Sequence, residues 1–111
     1  DAFSDLEKLN LVQIPFTPDH SQGNGHIFYL LLKSFNHRCN FIEYMFQNGI
    51  STPFHYIPLH SSPAGKVFGR SHGKLSITDD LSSRLVRLPS YFTLSENSIE
   101  YIIKKVLYYF E

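Results

Sequence analysis

The sequence predicts helices packed on a small sheet, an α+β or α/β layer within one domain. Three observations carry that reading. A six-residue apolar run rich in strand formers, Ile27 to Leu32, follows a glycine boundary. Two stretches, 38–48 and 96–110, repeat apolar residues at helical spacing. The chain has 111 residues, 42% of them hydrophobic, which suits one folded domain burying roughly two-thirds of its unfolded surface.

Residues 1–25 read as a connector. Leu6, Leu9, Leu11 and Ile14 are apolar, but Pro15, Pro18, Gly23 and Gly25 break the segment up. The run HIFYLLL, His26 to Leu32, is too short for a helix and reads as a buried strand. Asn36 is a suitable helix cap for Arg38 to Asn48. Cys39, Phe41, Ile42, Met45 and Phe46 form that helix's apolar stripe, with Cys39 a small core thiol, and Gly49 stops it. Ile50 to Ile57 is a second strand, short or at an edge because Pro53 lies inside it. An irregular segment follows from Pro58 to Gly73. Thr78 then caps a helix with Asp79 and Asp80 in its first turn and Leu81, Leu85 and Leu88 on its face. Pro89 pushes the end of VRLP toward a short strand. Ser95 caps the last helix, Leu94 staples onto Ile99, and Ile102, Ile103, Val106, Leu107 and Phe110 continue one apolar face.

Charge narrows the function classes. Lys plus Arg number 10 and Asp plus Glu number 10, without the basic excess of a nucleic-acid binder. No apolar run approaches the ~20 residues that span a bilayer, and no secretory leader pattern is present. The single cysteine cannot form an internal disulfide and suits a reducing cytoplasm. The first residue is Asp1 rather than Met, so a piece of a longer protein is expected.

The segment FHYIPLHSSPAG, residues 54–65, concentrates what chemistry there is. His55 and His60 match the loose half of a zinc site, but Pro58 between them breaks regular geometry and convergent ligands are lacking, so no metal is expected. Ser61 and Ser62 beside His60 have no orienting acid in the sequence and make no triad. GRSHGK, Gly69 to Lys74, lacks phosphate-loop spacing and reads as a solvated loop. Residue by residue, each histidine also fits a structural role, satisfied by one backbone partner.

GHIFYLLL, NGISTPFHYIPLHSSPAGKVFG and TDDLSSRLVRLPSYFTLSENSIEYIIKKVLYYF together resemble the C-terminal region of the nucleotide-sugar aminotransferases, over about residues 23–111. These are pyridoxal-phosphate (PLP) enzymes of fold type I, the aspartate-aminotransferase fold. F-H-Y-I-P-L-H-x-x-P-A-G is the most specific part and is most similar to the branch making dTDP-4-amino-4,6-dideoxygalactose. The resemblance implies an α+β fold, a small mostly antiparallel sheet with helices packed against it. It implies that 26–111 is the small C-terminal domain and 1–25 the connector from a large domain. It places His55, Tyr56, His60 and His26 at the sugar-substrate cleft, with His60 a proton-transfer helper exposed toward the large domain. Phe54 and Ile57 are expected to belong mainly to the packed region. None of the six lysines stands in the family's Schiff-base context, so PLP is expected in the parent and not in this chain, which alone should not catalyse. The implied partners are a nucleotide sugar, an amino donor such as glutamate, the large domain and a second copy of the parent, with no nucleic acid and no membrane. The rival reading is a stand-alone ligand-binding or protein-interaction module that reuses the small-domain fold.

Overall fold

The computed structural model describes residues 2–111. Seven elements follow one another: α1 (Ser4–Lys8), β1 (Phe28–Leu31), α2 (Phe35–Gln47), α3 (Pro63–Phe68), α4 (Ser76–Arg84), β2 (Leu85–Leu88) and α5 (Glu96–Phe110). β1 and β2 pair antiparallel in the register Phe28↔Leu88, Tyr29↔Arg87, Leu30↔Val86 and Leu31↔Leu85. The pair is extended by one antiparallel bridge on each side, Gln13↔Leu31 and Phe54↔Val86. The expected α+β architecture is therefore present, with a small antiparallel sheet at its centre.

Several expected boundaries move, each for a local reason. β1 is shorter than His26–Leu32. Ser34, not Asn36, caps α2, its Oγ accepting from the His37 N–H. The segment Ile50–Ile57 is no strand. Pro53 has no N–H to donate, its carbonyl accepts from the Arg87 N–H at 2.9 Å, and pairing ends after the single bridge at Phe54. The second strand is instead the short LVRL element, Leu85–Leu88, which follows α4 directly after Arg84. α4 begins at Ser76 without a side-chain cap, two residues before Thr78. The expected irregular stretch contains α3, started by Ser62 as cap and Pro63 at the first helical position.

The core gathers around Leu30, Leu32 and Val86 of the central sheet region and Phe41 and Met45 of α2, with Ile102 and Val106 of α5 completing it. Leu30 and Val86 stand opposite one another on the same sheet face, as strand alternation requires. Phe41 meets Tyr109 edge-on at 5.1 Å, and Phe110 lies at 6.2 Å, which locks α2 to α5. The N-terminal end of the expected connector is packed: Phe3, Leu6 and Val12 are buried in the same core. Two members of the α2 stripe lie outside it. Cys39 is exposed and Phe46 is 72% exposed, because the buried face runs through Phe41 and Met45 and both are turned away from it. No helix among the described residues is long and apolar enough to cross a membrane.

Candidate functional site

The FHYIPLH segment leaves the edge of the sheet and is turned back at once. The Pro58 carbonyl accepts from the Ser61 and Ser62 N–H groups at 3.1 and 3.0 Å. Ser62 donates its hydroxyl to the Leu59 carbonyl at 2.9 Å and accepts from the Gly65 N–H at 2.9 Å. Gly65 is required here by close approach. A Cβ at that position would sit 1.5 Å from the Leu59 carbonyl oxygen, so any side chain would force the turn apart. Residues 58–65 thus form one tight unit holding His60 in its centre.

That unit hands His60 to α4. Nε2 of His60 lies 3.0 Å from Oδ1 of Asp79, and the imidazole is only 16% exposed. The contact is off the straight line of a ring N–H hydrogen bond, since Nε2 has no well-aligned acceptor; it is a close imidazole–carboxylate contact. The Asp79 carboxyl is held below its ordinary value, first by the His60 ring; burial opposes this as the next largest effect, and Ser61 and Lys66 add smaller lowering contributions. The expectation that His60 stands exposed is therefore overturned. Spacing within 54–65 cannot show that a carboxylate arrives from a helix further along the chain.

His55 and Tyr56 line the outer wall. Their rings meet edge-on at 5.1 Å. With Phe54, Ile57 and Leu59 they border an open cleft of about 870 Å³, closed on the other side by Thr78 and Ser82 of α4. Phe54, Tyr56, Ile57 and Leu59 are all exposed, so the expected packing of Phe54 and Ile57 is not what the fold provides: the prolines hold the segment extended at the edge, with no element laid over it. A neighbouring cleft of about 310 Å³ joins Tyr56 and Pro58 to Asp79 and Arg38. His55 and Tyr56 are thus brought together, and His60 is linked to them through Asp79. His26 is not. It is exposed, its Nδ1 bonded to the Asn24 side chain, and it lines a separate cleft with Arg87.

Two arginines shape these surfaces and were not singled out from sequence. Arg38 lies 4.7 Å from the centre of the Phe35 ring and 5.1 Å from that of Phe54, and donates to the Ser82 carbonyl at 3.3 Å. Arg87 lies 5.9 Å from the Tyr56 ring. The available signal was a charged residue in the middle of an apolar four-residue strand, LVRL. Among the described residues no group of three or more His, Cys, Asp or Glu side chains could hold a metal ion.

Comparison with known proteins adds what this geometry cannot. The family model described as the DegT/DnrJ/EryC1/StrS aminotransferase family matches residues 2–107. Of the solved structures, DesV of S. venezuelae, in complex with a ketimine intermediate, superposes with a TM-score of 0.84 at 23% identity, covering 99% of this chain and 29% of that one. A DegT/DnrJ/EryC1/StrS aminotransferase from Brucella abortus gives 0.79 at 23% identity, covering 97% and 28%. Helicobacter pylori PseC, an aminotransferase involved in the biosynthesis of pseudoaminic acid, gives 0.76 at 19% identity, covering 96% and 29%. The chain spans less than a third of the length of each of these structures. Likeness at this identity establishes a shared fold over the matched region.

Proposed function

The chain belongs to the DegT/DnrJ/EryC1/StrS aminotransferase family, and from that premise we propose that it is the small C-terminal domain of a PLP-dependent transaminase acting on a nucleotide-linked keto-deoxysugar. Residues 26–111 would be that domain and 1–25 its link to a large domain. The observation that carries the reading is the Phe54–Gly65 unit: within a chain of this family it presents His55 and Tyr56 along an open cleft and sets His60 against Asp79.

In this reading the chain supplies one wall of the sugar site. Tyr56 and His55 offer an aromatic and a polar edge to the sugar. Asp79 fixes the His60 ring through Nε2, leaving Nδ1 as the ring atom able to take or give a proton, the arrangement by which a carboxylate orients a histidine. PLP supplies the electron sink for moving an amino group, but the residues of this chain do not fit the cofactor. A Schiff base needs a lysine in the cleft, and no lysine lines either cleft; Lys66 of α3 is near enough to Asp79 to lower its carboxyl but lines neither. Lys8 is paired with Asp5 at 2.8 Å, while Lys104 and Lys105 lie over Tyr108 and Tyr101. The cofactor lysine would come from the large domain, and the parent would work as a homodimer in the cytoplasm with glutamate as amino donor. The F-H-Y-I-P-L-H motif favours a 4-keto-6-deoxy sugar on dTDP as acceptor, and surface polysaccharide as the destination of the product.

The test is made on the whole protein, expressed with the coding sequence preceding Asp1. Incubation with glutamate and a dTDP-4-keto-6-deoxyhexose should yield the 4-amino sugar nucleotide, identified by mass spectrometry. His60→Ala should lower turnover and Tyr56→Ala should raise the sugar-nucleotide KM. Absence of amino transfer to any nucleotide keto sugar, or unchanged kinetics in a folded His60→Ala protein, would refute the assignment and favour the stand-alone module.

A further inference from the structure

We propose that Arg87, together with Ser51 and His26, forms a binding site for a small oxyanion, a carboxylate or phosphate group. Arg87 lies in β2 opposite Tyr29, on the sheet face turned away from the Leu30–Val86 pair of the core. Its backbone is fixed by the bond from its N–H to the Pro53 carbonyl. Its side chain is half-buried, yet no carboxylate pairs with it among the described residues. Nε is buried without a hydrogen-bond partner. The Tyr56 ring at 5.9 Å is a poor substitute for an acceptor.

Arg84, by contrast, makes a two-pronged contact with Asp80 and donates to the Leu32 carbonyl at 2.7 Å. Nε of Arg38 is buried without a partner as well, but the Arg38 guanidinium has a carbonyl acceptor and two aromatic rings at 4.7 and 5.1 Å, whereas Arg87 has one ring at 5.9 Å. A buried donor left without an acceptor destabilises the fold that holds it. Arg87 carries that cost at Nε, and its guanidinium borders the cleft without a carboxylate to neutralise it. A guanidinium presents its N–H groups as a planar fork matched to a carboxylate or phosphate.

The surroundings fit the same ligand. Arg87 borders a cleft of about 230 Å³ with His26, Ser51 and Ser90, and no acidic side chain borders it. Ser90 spends its hydroxyl hydrogen on the Gly25 carbonyl at 3.2 Å, which holds the chain beside His26 against the end of β2. That leaves the Ser51 hydroxyl and the His26 ring as further donors. Nδ1 of His26 donates to the Asn24 Oδ1, so Nε2 faces a ligand as a donor only when the ring is an imidazolium. The cleft accommodates one oxyanion and a few attached atoms, not a nucleotide. The site stands on this geometry alone; the proposed transaminase function enters only in choosing the two probes, since an amino-acid donor carries carboxylates and a nucleotide sugar carries phosphates.

The experiment titrates the ¹⁵N-labelled chain separately with glutarate and with pyrophosphate, at ionic strength held constant with sodium chloride. Saturable shifts of the Arg87 Nε–Hε signal and of the Ser51 and His26 amides with one probe identify the group recognised. Arg87→Gln should weaken that binding by about tenfold or more, and Arg87→Lys, which keeps the charge but loses the fork, should restore it only in part. Ser51→Ala, at an exposed position, provides a second variant whose folding is not in question and should also weaken binding. The proposal is overturned if neither probe saturates, if sodium chloride alone reproduces the shifts, or if Arg87→Gln and Ser51→Ala both bind as the unaltered chain does. These outcomes are independent of whether the whole protein transfers amino groups.

Discussion

Phe41 and Phe46 lie on the same helix and look alike in sequence, and the fold separates them. Phe41 is fully buried, edge-on to Tyr109 and beside Phe110, while Phe46 is 72% exposed. Phe41→Ala removes a whole buried ring, and the surrounding Leu30, Met45 and Tyr109 belong to different elements that cannot all collapse into the space. The expected loss is about 3–5 kcal/mol, the range for emptying an aromatic core site. Set against a total stability of about 5–15 kcal/mol for a domain, that is about a fifth or more of what holds the chain folded. In urea melts followed by far-UV circular dichroism the midpoint should fall by at least ~1 M, with slopes of about 1–3 kcal/mol per molar. Phe46→Ala should stay within about 0.5 kcal/mol of the unaltered chain. Equal losses for the two variants would mean that α2 is rotated from the described position, and the account of the core would fail with it.

Other outcomes follow from the same contacts. Val106 is fully buried on α5, so Val106→Asp places a charge in the apolar core and should abolish the cooperative urea transition. Gly65→Ala should separate His60 from Asp79 by breaking the Leu59–Ser62 turn, read as loss of the native His60 ring shifts in NMR with the signals of α5 unchanged; an undisturbed His60 would show that the turn tolerates a side chain. The depressed Asp79 carboxyl contributes stability that is fully present above its ordinary value of 3.8 and is lost as pH falls through the lower folded value. Acid titration of stability should therefore show the unaltered chain losing its advantage over Asp79→Asn below about pH 3.8 and not above it. Finally, titrating this chain with pyridoxal phosphate should give no visible absorbance band that saturates at one equivalent and disappears with a single lysine substitution.

Local patterns were enough for much of this protein. The terminal helix is stated in full by its own residues: Ser95 accepts from the Ser98 N–H, and Ile102 and Val106 are buried one turn apart. The short strand before Pro89 could be read in the same way, because proline chemistry and strand propensity act over a few residues. The family resemblance in FHYIPLH was likewise present in the sequence. Tertiary structure decided what depends on partners distant along the chain. It exposed Cys39 and Phe46 by choosing which strip of α2 meets the sheet. It reduced the Ile50–Ile57 segment to one bridge, because Pro53 had no donor to offer the edge. It paired His60 with Asp79 and left Arg87 without an acid. Propensity, capping and spacing describe a residue's neighbours in sequence. Burial and charge pairing are set by where separate elements cross, and that is why the environments of His60 and Arg87 emerged only from the folded chain.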